Sequence, residues 1–166
     1  MRRAEPLLPN LFEPPSPGST SHWGLPYPCA NKHHRHSLMP KLVTAGAMLK
    51  CSFGAAPSAL VVTPENKMLA GAPAANIMDH VPIKNIVSFG MCSTQSNPAV
   101  AAATAAASGV PTPAPCVPVT SAPWDPGSPS MQIGNQPALN DSSTCKCSYG
   151  GVITITSPGQ QTMEIE

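Results

Sequence analysis

Charge is scarce in this chain. Charged side chains make up 10% of its 166 residues, and the formal net charge is +1. No basic patch stands out, which argues against nucleic acid as a partner. Phe, Trp and Tyr are scarcer still: from Met39 onward there are only Phe53, Phe89, Trp124 and Tyr149. No apolar run approaches the roughly 18 residues of a membrane-spanning helix. Behind Arg2 and Arg3 the chain is broken by proline and never forms the apolar core of a signal peptide, so it reads as made and first folded in the cytoplasm. No C-x-x-C pair occurs, so the strongest zinc-ribbon signature is missing.

Proline is abundant instead, with 22 copies beside 12 glycines. Both residues punctuate a chain into turns, which excludes long helices almost everywhere. The length suits one domain. Residues 1–38 stand apart, holding seven of the prolines and four of the five histidines without periodic pattern. They read as a disordered leader or as a start codon placed too early, and residues 39–166 as the folded domain. His33, His34 and His36, with Cys29, form a short histidine-rich tract of the kind that binds metal, but no regular ligand spacing frames them.

Short strands dominate from Met39. "KLVTAGAML" and "SALVVTP" each predict one, and "NIMDHVPIKNIVSFG" predicts two short runs split by Pro82. "MQIGN" and "GVITITS" close the series. Runs of this length, bounded by Gly, Pro, Asn or Ser, define an all-β fold. "NPAVAAATAAASG" is the exception. Asn97 suits an N-cap, Pro98 the first helical position and Gly109 a left-handed stop, so the segment predicts a helix over 98–108. The proline-rich stretch from Gly109 to Ser130 predicts an extended, polyproline-like path carrying Cys116 and Trp124.

So few rings and so much alanine make a thin core. At about 25 cal/mol per Å² of buried apolar surface, it offsets less chain entropy than usual. Domains of this kind commonly need a staple. Six cysteines in a cytoplasmic product favour metal binding or redox chemistry over a disulfide framework. Cys51, Cys92, Cys116 and Cys147 lie far apart in sequence, each beside a turn or strand end. Two sit in an echo: "KCSFG" at Lys50–Gly54 and "KCSYG" at Lys146–Gly150. Four thiolates from distant turns would give zinc its tetrahedral set, and a site of four thiolates accepts iron as well. Cys145 and His80 are second-tier ligands. Cys145 and Cys147 share a side if the chain is extended and part if it bends, and the echo favours Cys147 as the ligand.

The blocks "GAMLKCSFG", "GAPAANIMDHVPIKNI", "FGMC", "NPAVAAAT", "PTPAPC", "PWDPGSP" and "CSYGGVITITSPGQ" resemble the PAAR-like proteins, in their cysteine-bearing branch. The resemblance runs from about Met39 to Gln160. It departs from the naming tetrapeptide, since Pro73-Ala74-Ala75 is followed by Asn76 rather than arginine. It also lacks the histidine ligand set of the founding members, so four cysteines would take the place of three histidines and one cysteine. The resemblance implies a small metal-stapled cone of short β-hairpins. Such a cone caps a trimeric β-helical spike protein of the VgrG type in type VI secretion and related contractile injection systems. It implies a structural tip that aids membrane puncture without spanning the membrane and leaves the bacterial cytoplasm with the spike. It also admits an adaptor that recruits a separate toxin, since few residues follow Gln160. An enzyme reading, with Cys51 or Cys92 as nucleophile, His80 as base and Asp79 or Asp125 as orienter, is the remaining alternative.

Overall fold

The computed structural model describes residues 39–166, which fold into small antiparallel sheets with one short α-helix. The largest sheet has four strands in the order β2 (Ser58–Ala59), β1 (Met48–Cys51), β8 (Val152–Ser157) and β7 (Thr144–Lys146). The segment nearest the end of the chain therefore lies between two others, paired on one side with β1 and on the other with β7. Ile153 is at the centre of this arrangement, opposite Cys51 on one side and Cys145 on the other. The alternation expected of "VITIT" is present: Val152 and Thr154 face out while Ile153 is fully buried.

Two two-stranded pairs complete the sheets: β3 (Met91–Cys92) with β4 (Ala114–Pro115), and β5 (Gln132–Ile133) with β6 (Gln136–Pro137). The turn between β5 and β6 is Gly134-Asn135, both at positive φ, the conformation that suits a two-residue hairpin.

The helix α1 spans Pro98–Ala106, two residues shorter than the pattern predicts. Asn97 caps it as expected, its side chain accepting from the Ala99 amide at 3.0 Å. The stop comes early because Ser108 as well as Gly109 takes a left-handed conformation.

Other strands are shorter than their apolar runs suggest. "KLVTAGAML" is split by a turn at Gly46 (φ +83°), leaving bridges at Lys41, Leu42 and Thr44 before β1 begins. "NIMDHVPIKNIVSFG" forms turns with bridges at Pro82 and Ile86 instead of two strands. Its backbone is used by tight turns, with the Asn85 and Ile86 amides both donating to the Val81 carbonyl. The segment from Pro113 to Thr120 alternates exposed and buried residues, so Ala114, Cys116, Pro118 and Thr120 all face inward.

Two apolar clusters form the core. The larger gathers Leu49, Leu60, Ile86, Phe89, Val100, Trp124, Leu139 and Ile153 with all five described cysteines. The smaller joins Leu42, Ala74, Ile133, Ala138 and Ile165. Pro73–Asn76 runs along the seam between them. Ala45 donates to the Pro73 carbonyl, Ala75 to Val43, and Leu139 to Ala75, so three chain segments exchange backbone bonds there. Ala74 and Ala75 are fully buried. Their small side chains permit that close approach. None of the helices among the described residues is long and apolar enough to cross a membrane.

Candidate metal centre

The two K-C-S-aromatic-G copies fold alike. In each, the glycine amide closes a β-turn onto the cysteine carbonyl: Gly54 to Cys51 at 3.2 Å and Gly150 to Cys147 at 2.9 Å. The pairing of β1 with β8 sets these turns side by side at one end of the sheet. The Ser52 amide donates to the Val152 carbonyl at 3.0 Å, and the Val152 amide returns a bond to Ser52 Oγ at 3.1 Å.

The other two cysteines are brought in by the backbone. Ala55 and Ala56 donate to the carbonyls of Met91 and Phe89, Ser93 donates to Phe53, and Gly54 bridges Cys92. Cys116 follows because its amide donates to the Gly90 carbonyl at 2.7 Å. Ser148 binds the same extended segment at Val119, at 2.8 Å.

Cys51, Cys92, Cys116 and Cys147 are all free and buried. Burial is the main influence on Cys51 and raises its thiol above the usual range. The amides of Phe53 and Gly54, directed at its sulfur, oppose this, while the charges of Cys147 and Cys92 add to it. Cys116 is pushed up to about 11, again mainly by burial, with further contributions from Cys92 and Cys51 and opposition from the Phe89 amide. Cys51 thus feels Cys147 and Cys92, and Cys116 feels Cys92 and Cys51. Among the described residues, no set of three or more His, Cys, Asp or Glu side chains stands ready to hold a metal. Electrostatic reach is a looser requirement than coordination, and a cysteine side chain has three staggered χ1 positions in which to place its sulfur.

The donor set fits a soft or borderline cation. Thiolates are strong ligands for zinc and iron, and a cation among them reverses the burial and repulsion that disfavour their charged forms.

Cys145 feels Cys147 alone among the other four. It is fully buried, its thiol is pushed up to about 11 by burial and then by Cys147, and its sulfur lies 3.5 Å from the Ala122 carbonyl. Ile153 separates it from Cys51. His80 is also elsewhere: its Nδ1 lies 3.1 Å from the Met78 carbonyl. The histidine tract and Cys29 lie outside the described residues.

Asp79 serves a polar network that the sequence did not reveal. Its buried carboxylate accepts from the Asn66 side chain (2.9 Å), the Asn76 amide (3.0 Å), the Asn85 side chain (3.3 Å) and Thr63 Oγ1 (3.4 Å). The remaining side-chain N–H groups of those asparagines go to Ala74, Ile133, Asn66 and Val61. These bonds hold turns together. None of them directs Asp79 toward His80's ring or a thiol, as the enzyme reading would require. Asp125 is exposed, with its backbone paired to Thr144.

The fold and site define a small all-β protein with a cluster of buried thiols. The family model described as "Domain of unknown function (DUF4280)" matches residues 43–160, and the chain belongs to that family. No curated protein and no solved structure matches the chain.

Proposed function

We propose that this chain is a cysteine-bearing PAAR-like protein, the structural tip of a trimeric spike in a contractile injection system such as type VI secretion. The observation that supports the reading is the burial of Cys51, Cys92, Cys116 and Cys147, remote from one another in sequence, in one apolar cluster of an aromatic-poor fold. These residues would hold zinc or iron. When bound, the ion supplies a cross-link between the β1–β8–β7 sheet and the β3–β4 pair, with folding free energy on the order of 10 kcal/mol.

A tip driven through a membrane must resist unfolding under load. Short strands and tight turns leave little slack in the chain, and a cross-link at one point ties its remote segments together. Docking onto the spike would use backbone groups at exposed strand ends, so that affinity comes from added strand pairing.

Two measurements on the full chain test the proposal. Elemental analysis of freshly purified protein is expected to find about one zinc or iron per chain, since four thiolates complete one tetrahedral set. Pull-down with a trimeric β-helical spike is expected to retain the chain, both with and without residues 1–38. Failure to bind any such trimer would overturn the tip assignment. Absence of metal would overturn the cross-link.

A further inference from the structure

By strand neighbourhood the four thiols fall into two pairs, Cys51 and Cys147 beside β8, and Cys92 and Cys116 along the β3–β4 pair. Cys51 at the end of β1 and Cys147 just beyond β7 flank β8 and meet over Gly151. A β-carbon on Gly151 would lie 3.0 Å from Cys51 Sγ and 3.6 Å from the Cys147 β-carbon, so the missing side chain is what opens the space between them. In the other sheet, Cys92 pairs with Ala114, and Cys116 lies two residues further along the same face. Cys145 is screened from the Cys51 side by Ile153.

We propose that these thiols form an oxidation site whose products are two disulfides, Cys51–Cys147 and Cys92–Cys116. The proposal rests on the four-thiol reading above and adds a second state of the same site. The oxidant class is a peroxide, small enough to reach buried sulfur. Cys147, at 8% exposed the most accessible of the four, is attacked first. Its sulfur takes one peroxide oxygen as the O–O bond breaks, giving a sulfenic acid and water. Cys51 sulfur then displaces that oxygen as a second water, and the S–S bond forms. Two thiols and one hydrogen peroxide thus give one disulfide and two waters. A second peroxide converts Cys92 and Cys116 in the same way.

The structural consequence is specific. A metal held by all four sulfurs links two sheets, whereas each disulfide stays within its own sheet. Oxidation therefore releases the metal and removes its cross-link, leaving only backbone bonds such as Ala55 to Met91 and Ser93 to Phe53 between the sheets, while stapling each one internally.

The test uses the reduced full chain, both as purified and after chelator treatment, titrated with hydrogen peroxide. Metal content is measured first, so a metal-free preparation counts against the cross-link while the chelated arm still tests the pairing. Of the five described free thiols, only Cys145 is expected to remain once about two peroxides per chain have reacted with them. Peptide mapping without reduction should find both named disulfides, and bound metal should leave in step with them. Cys147→Ser should retain the Cys92–Cys116 bond and leave Cys51 reduced. Cross-sheet pairs such as Cys51–Cys92, consumption of Cys145, or conversion to sulfinic acid without disulfides would each overturn the proposal. Mapping of the unmutated chain decides the matter even if the variant does not fold.

Discussion

Cys51 Sγ lies 3.0 Å from the point where a β-carbon on Gly151 would stand. That distance is tighter than ordinary packing, so a β-carbon there would press on the Cys51 sulfur in the space it shares with Cys147. Gly151→Ala is expected to cost about 1–3 kcal/mol of stability through overpacking and to lower metal content sharply. Gly150 provides the contrast. It holds φ +80° with open space around it, so Gly150→Ala is strained but obstructs nothing. It should cost about 1 kcal/mol and leave metal content unchanged. Equal metal loss in both variants would show that turn geometry, rather than the gap over Gly151, governs the site.

Removal of the proposed ion is predicted to weaken the whole fold. Chelation of the purified chain should lower the melting temperature, and re-addition of zinc should restore it. Serine at Cys51, Cys92, Cys116 or Cys147 should reproduce the loss in both metal content and melting temperature. Cys145→Ser should keep the metal, because Ile153 separates that thiol from Cys51. If Cys145→Ser sheds metal while Cys116→Ser retains it, the ligand set is misassigned.

Much of this arrangement was legible in the sequence, for identifiable reasons. Asn97 and Pro98 announced the helix because capping is local chemistry. "VITIT" announced β8 because β-branched alternation needs only a pleated, half-buried surface. The two K-C-S-aromatic-G turns were visible as an echo, though their adjacency depends on β1–β8 pairing across most of the chain. The turns of 77–86 resemble strands in the sequence because Ile77, Val81 and Ile86 supply apolar residues, while the Asn85 and Ile86 amides are committed to one tight bend. The Asp79 network was invisible because Asn66, Asn76 and Asn85 reach it from different turns, and no spacing rule links them.

Asp79 is expected to matter for stability and His80 hardly at all. Truncating Asp79 to alanine removes a buried acceptor for four donors, and the Asn66 and Asn85 side chains each lose a bond. Hydrogen bonds to charged groups contribute about 1.5–3 kcal/mol each, so Asp79→Ala should cost at least about 2 kcal/mol. His80→Ala removes a partly exposed ring whose Nδ1 faces only the Met78 carbonyl, and it should shift the denaturant midpoint little. Metal content should be unchanged by the histidine substitution. A large loss of metal in His80→Ala would return this residue to the ligand set.

Alkaline pH should destabilise the metal-free chain in part through Cys145. Its thiol is held at about 11 in the fold against 9.0 in the unfolded chain, chiefly because burial penalises the thiolate. The unfolded state therefore releases its proton first as pH rises. The resulting stability is fully present below about pH 9 and is lost as pH climbs toward 11. Urea midpoints measured across that window should fall for the chelated chain. In Cys145→Ala the decline should be shallower, because one of the groups that must remain neutral is gone, even though the variant starts lower from its lost packing. An equally steep decline in the variant would mean that the Cys145 thiolate is tolerated where it lies, beside Ile153 and the Ala122 carbonyl.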